Sequence, residues 1–117
     1  MTQRRVTATH TRSYDDPVRV GAGETLIFDG RQSDWEGHRW LWAVDAAGRG
    51  GWVPGSFARA GCKLDGMFVA APEDFDAIEL TCTAGEGVTV LRESHGWAWC
   101  ENAAGARGWV PLSCLGD

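Results

Sequence analysis

Apolar residues in this chain come in short runs, many of them alternating with polar ones. Each run is stopped within a few residues by glycine, proline or an acidic cluster. In an extended strand successive side chains point to opposite faces, so this alternation predicts half-buried strands. Residues 6–11, rich in Thr and Val, read as a strand, and 12–17 as a polar loop ending in Pro17. Residues 18–20 alternate inward and outward. A turn at 21–24 precedes a strand at 25–28, and 29–38 reads as a long polar loop containing Trp35. Residues 40–44 form the next predicted strand, 45–48 a tight turn, and 51–53 a strand ended by Pro54. No stretch carries a helical period, so the chain is expected to be all-β, a small barrel or sandwich.

The pattern then repeats. Trp40-Leu41-Trp42-Ala43-Val44 leads through a turn to Gly51-Trp52-Val53-Pro54, and Trp97-Ala98-Trp99-Cys100-Glu101 leads to Gly108-Trp109-Val110-Pro111. Six of the seven tryptophans fall at these repeated positions. Ala84-Gly85-Glu86 lies 62 residues after Ala22-Gly23-Glu24, whereas Trp97 lies 57 after Trp40, which places five extra residues in the 29–38 loop of the first copy. Two copies of one unit are implied, with boundaries at 1–60 and 61–117 and a short linker at 58–66. Residues 67–71 predict the first strand of the second copy, 72–78 an acidic loop, and 79–82 a strand with Leu80 and Cys82 inward.

Each copy is about as small as an unaided fold can be, so a rich aromatic core or mutual packing is expected. The net charge of -5 disfavours a nucleic-acid partner. No apolar run approaches the roughly 20 residues of a membrane span, and the polar start of the chain lacks a secretory h-region. A cytoplasmic location with free thiols follows as the expectation for the four cysteines, which show no Cys-x-x-Cys and no zinc spacing. Neither metal nor cofactor is expected, and the oligomeric state is expected to be monomer or weak homo-oligomer.

Taken in order, the acidic loop, Gly-Glu turn, tryptophan strand, distal turn and Gly-Trp-Val-Pro resemble the SH3 fold, in a tandem form like that of bacterial SH3-like proteins. The resemblance implies two tandem SH3-like small β-barrels packed against each other. It also implies a groove for proline-rich segments at Trp40, Trp52, Pro54 and Phe57, and at Trp97, Trp109, Pro111 and Cys114. The groove tyrosines of the family's Ala-Leu-Tyr-Asp-Tyr strand match either Thr7-Ala8-Thr9-His10 and Val69-Ala70-Ala71-Pro72, or Tyr14-Asp15 and Asp74-Phe75-Asp76-Ala77. The second option adds Tyr14 and Phe75 to the candidate ligand surface. Proline-rich peptides are preordered, and flat aromatic walls accept them at low entropic cost. In this family the acidic loop pairs with a basic residue of the peptide, a role open to Asp15, Asp16, Glu73, Asp74, Asp76 and Glu79.

Strand alternation places Val53, Val110, Leu41, Ala98, Ala43 and Cys100 inward, and Trp40, Trp42, Trp52, Trp97, Trp99 and Trp109 outward. Small residues inside and indoles outside suit a tight barrel with an aromatic outer face. Trp35 is expected as a lid over the first copy. The function expected is a non-catalytic module binding a peptide segment of a partner protein. The alternatives are a scaffold subunit whose tryptophan faces are permanently buried, and a cell-wall-binding module.

Overall fold

The computed structural model describes residues 2–58 and 66–116. The chain is all-β, with eleven strands and two single-turn 3₁₀ segments among the described residues. In chain order these are β1 (Thr2–Val6), β2 (Arg19–Val20), β3 (Thr25–Trp35), β4 (His38–Val44), β5 (Gly50–Pro54), β6 (Met67–Ala70), β7 (Phe75–Asp76), β8 (Gly87–Ser94), β9 (Trp97–Glu101), β10 (Arg107–Pro111) and β11 (Leu115–Gly116). The 3₁₀ turns, Gly55–Phe57 and Leu112–Cys114, follow Pro54 and Pro111. There the missing proline N–H is no loss, and its fixed φ starts the turn.

The expected partition at 60/61 is not the one observed. One compact unit is contiguous, Asp16–Ala77; the other is discontinuous, Met1–Asp15 with Ile78–Asp117. The reason is strand pairing. Strand β1 pairs with β8 (Gln3 opposite Thr89) and with β11 (Val6 opposite Leu115), so the discontinuous unit has the order β10-β9-β8-β1-β11. Strand β6 pairs with β3 (Phe68 opposite Ile27), giving β5-β4-β3-β6 in the contiguous unit. Each unit therefore takes its first strand from the other sequence copy. The two sets of contacts correspond. Val6 N–H bonds the Glu86 carbonyl, as Ala71 N–H bonds that of Glu24, both at 2.8 Å. Ala84 N–H bonds the Thr9 hydroxyl, as Ala22 N–H bonds the Asp74 carboxylate. His10 lies opposite Cys82, as Phe75 lies opposite Val20. The expected linker falls largely on residues 59–65, outside the described residues.

The core of the discontinuous unit is Val6, Leu80, Cys82, Val88, Val90, Ala98, Cys100, Val110 and Leu115, all buried. Burying a Val or Leu side chain is worth about 1.5–3 kcal/mol, so this cluster is the main stabilising term. The contiguous unit buries Val18, Val20, Leu26, Leu41, Ala43 and Val53, and also Phe28, Phe57 and Phe75. Its interior is thus not made of small residues alone.

Three local devices explain the recurring sequence signals. The Glu of each Gly-Glu turn folds back: Glu24 accepts the Gly21 N–H and Glu86 the Thr83 N–H, while Gly23 and Gly85 take φ of 87° and 98°. The glycine opening each Gly-Trp-Val-Pro lets the preceding segment lie against the sheet. A Cβ on Gly108 would stand 2.6 Å from the Leu80 backbone N, and one on Gly51 would stand 3.2 Å from that of Val18. The third device is a two-residue hairpin, Glu36-Gly37 in one copy and His95-Gly96 in the other, with positive φ at both positions, as a type I′ turn requires.

That hairpin corrects the expected 29–38 loop. Residues up to Trp35 belong to β3, paired with β4 as far as Trp35 opposite His38. The five extra residues comprise four that lengthen the hairpin and one more in the bulge between Phe28 and Gln32. Trp35 is therefore a half-buried strand end rather than a loop lid.

The distal turns differ instructively. Asp45, buried in the contiguous unit, accepts backbone N–H bonds from Arg19, Ala47 and Arg49 and a 2.8 Å bond from the Arg49 guanidinium. Asn102 takes the same place, accepting from Ala104 and Ala106, with no guanidinium because Ala106 replaces Arg49. Burial works to raise the Asp45 pKa, but the bonds from Arg19, Arg49 and Ala47 together outweigh it and hold it below 3.8. A depressed carboxylate stabilises the fold above its unfolded pKa, and that contribution is lost as pH falls through the folded value. Asp45→Asn should therefore cost about 1–2 kcal/mol at pH 7. The gap to wild type, read by urea unfolding, should close below about pH 4. A gap that stays constant to pH 2 would contradict this.

Candidate ligand-binding groove

The ladder between β4 and β5 sets Trp40 opposite Pro54 and Trp42 opposite Trp52; the ladder between β9 and β10 sets Trp97 opposite Pro111 and Trp99 opposite Trp109. Leu41, Ala43, Val53, Ala98, Cys100 and Val110, which intervene, are fully buried, so the indoles share the opposite face in both units. Trp42 and Trp52 meet edge to face at 5.3 Å, and Trp99 and Trp109 at 5.2 Å. An arginine caps each pair: Arg31, held by Asp29, lies 4.4 Å from the Trp42 ring, and Arg92 lies 5.3 Å from Trp109. Such pairs and cation–π contacts are worth about 0.5–1.5 kcal/mol each, so four of the six outward tryptophans help hold the sheets together. Trp109 is only 6% exposed. It acts as a stacked strut, not as open groove wall.

The remaining candidates divide between the units as the strand exchange dictates. Trp40, Trp52, Pro54, Phe57 and Phe75 lie in the contiguous unit. Phe57 and Phe75 meet edge to face at 5.4 Å, and both are buried, so in this unit the two rings fill core. Tyr14, Trp97, Trp109, Pro111 and Cys114 lie in the discontinuous unit. Tyr14 is 41% exposed, on the segment leading away from His10. Pro54 and Pro111 are buried beneath their tryptophans, and Cys114 is half-buried against the core.

The positions equivalent to Phe57 and Phe75 are Cys114 and His10, and here the units diverge. His10 and Trp97 meet edge to face, with ring centroids 5.7 Å apart. The His10 Nε2 donates to Glu79 Oε1 at 2.8 Å, and the Ser13 hydroxyl donates to the same oxygen at 3.2 Å. The Arg12 N–H bonds the Thr81 hydroxyl, and the Cys114 carbonyl accepts the N–H groups of Thr7 and Ala8. These contacts fix the 7–13 segment alongside 79–82 and beside Trp97. The result is a half-buried indole with an imidazole against it and a carboxylate bonded to the imidazole. It can stack on a flat apolar ligand group and present acceptors to a donor. Nothing in the sequence pattern joins His10, Ser13 and Glu79. The Thr7-Ala8-Thr9-His10 match to the groove strand is visible, but the pattern assigns it to its own copy. The register shows His10, not Tyr14, as the counterpart of Phe75.

Cys82 and Cys100 are buried core thiols. Burial pushes both pKa values up, Cys100 to about 11, so neither is a nucleophile at neutral pH. The His95 Nδ1 and the hydroxyl of its neighbour Ser94 share a 2.6 Å hydrogen bond at the hairpin tip. No cluster that could hold a metal ion occurs among the described residues, and no described helix is long and apolar enough to cross a membrane. Cys62 lies outside the described residues.

Residues 57–116 match the family described as the variant SH3 domain, a non-catalytic domain. No curated protein and no solved structure matches the chain. The matched span runs through β6 and β7, which the structure assigns to the contiguous unit, so it follows the sequence copy and not the folded unit.

The burial pattern sets an order of thiol reactivity. Alkylation of native protein, mapped by mass spectrometry, should modify Cys114 well before Cys82 and Cys100. The latter two should react only at the rate of unfolding. Equal rates for all three would contradict the core placement.

Proposed function

Because the chain belongs to the variant SH3 domain family, we propose that it is a non-catalytic binding module built of two SH3-like units, with its ligand groove in the discontinuous unit. The ligand is a peptide segment of a partner protein, proline-rich and carrying a basic residue. One observation carries this reading: Trp97, opposite Pro111, has beside it the His10 ring, itself bonded to Glu79, whereas in the contiguous unit Phe57 and Phe75 hold the equivalent positions with paired, buried rings. An indole that is half-buried and edge-braced loses little freedom on binding, which favours it as an anchor. Glu79 provides negative charge for a Lys or Arg of the peptide, and Asp15 follows Ser13, which bonds Glu79, by two residues. Substitution of tyrosine-type groove positions by His10 and Cys114 shifts preference away from a second flat proline pocket and toward a polar contact.

The test is titration with proline-rich peptides carrying Arg or Lys, followed by the Trp97 indole N–H signal in NMR. The Trp97 resonance should move. Trp97→Ala, checked for retained folding, should weaken binding at least tenfold, as expected for a lost anchor of about 1.4 kcal/mol or more. Trp40→Ala should change it less than twofold. Equal loss from both substitutions, or peptide shifts confined to residues remote from Trp97, would contradict the assignment.

A further inference from the structure

We infer that the contiguous unit controls assembly of the groove in the discontinuous unit, by closing the loop in which it is inserted. The inference rests on the groove assignment above for its functional meaning, and on chain topology for its physics. The groove segments 7–15 and 78–82 lie on either side of the 62 residues of Asp16–Ala77. Within that unit the two ends are tied to each other. Arg19 pairs with Asp76 and Val20 with Phe75, and the Ala77 N–H bonds the Val18 carbonyl at 3.1 Å. When the contiguous unit is folded, it therefore presents its termini side by side and acts as a short connector. The discontinuous unit then closes a tight loop between His10 and Cys82, which exchange both backbone hydrogen bonds. When the contiguous unit is unfolded, the same two segments must be brought together across a flexible chain.

Loop-closure entropy scales with the logarithm of length, so replacing a connector of a few residues by 62 lowers the folding constant of the discontinuous unit on the order of 50-fold. The coupling is reciprocal: a folded discontinuous unit favours the contiguous one by the same factor. Units of this size are marginal, so a factor of that order decides how much of the groove is assembled. Any ligand or modification that stabilises Asp16–Ala77 thereby raises the fraction of molecules in which His10, held by Glu79, lies against Trp97. The two units need no direct contact for this.

The test uses the full chain. Leu41 is fully buried in the contiguous unit, and Leu41→Asp buries a charge there. Loss of amide protection in β3–β5 reports that this unit has unfolded. Protection in β9 and β10 should then fall about 50-fold. Gln3 and Thr89 lie opposite each other, with their side chains hydrogen bonded at 2.7 Å. An oxidised Gln3→Cys/Thr89→Cys pair in the same variant closes the loop covalently, and protection in β9 and β10 should return. The disulfide should add more to the discontinuous unit in the Leu41→Asp background than in the otherwise wild-type chain. Protection in β9 and β10 that is unchanged when β3–β5 are unprotected would overturn the inference, as would its failure to recover with the disulfide formed. These readouts contain no ligand. A failure here leaves the peptide-binding assignment standing, and a failure to bind peptide leaves the coupling standing.

Discussion

The pairing of β1 with β8 is the contact on which the rest of this molecule depends. Strand β1 sits between β8 and β11, so its removal would leave β11 without a neighbour and uncover the edge of β8. Val6 brings a side chain into the core, and its amide and carbonyl groups bond Glu86 and Gly85. From that ladder the chain runs directly into the 7–13 segment, which carries His10 to Trp97 and Ser13 to Glu79. Fold and groove are therefore set by one stretch of hydrogen bonds formed across more than 80 residues of sequence. Such long-range closure is entropically costly, which is why the intervening unit, with its ends already joined, matters to the energetics.

Two copies of one sequence pattern have been put to different uses by a few substitutions. Phe57 and Phe75 pair their rings in the core of one unit, while at the equivalent positions of the other stand Cys114 and His10, and His10 gives Trp97 a polar neighbour. Asp45 and Arg49 lock one distal turn with a partly buried ion pair; Asn102 and Ala106 make the other without charge. In both units the Trp–Trp pairs capped by arginine brace the outer face. An aromatic outer face thus serves two ends, and only part of it is ligand surface.

Much of this was legible in the chain. Alternation placed Leu41, Ala43, Val53, Cys100 and Val110 inside, because a side-chain period of two is a property of the strand itself and needs no tertiary context. The Gly-Glu and Gly-Trp-Val-Pro signals marked real turns for local reasons, a back-folded carboxylate and a close backbone approach. What sequence could not show was which copy of the first strand each barrel uses. Thr2–Val6 and Met67–Ala70 offer equivalent backbone groups to either partner, and nothing in the pattern of apolar positions distinguishes the two pairings. The pattern therefore assigns Tyr14 and Phe75 to the wrong units, and offers Thr7-Ala8-Thr9-His10 as a groove strand only within its own copy. The 29–38 segment departs from expectation for a different reason. Its polar composition predicts a loop, but a solvated hairpin extension with a Glu36-Gly37 turn has the same composition.

The exchange of first strands is most directly tested by scalar couplings across individual backbone hydrogen bonds in the isotopically labelled protein. The account predicts couplings from the Val6 amide to the Glu86 carbonyl and from the Ala71 amide to the Glu24 carbonyl. Couplings from Val6 to Glu24 and from Ala71 to Glu86 would show that each copy keeps its own first strand, and would contradict it.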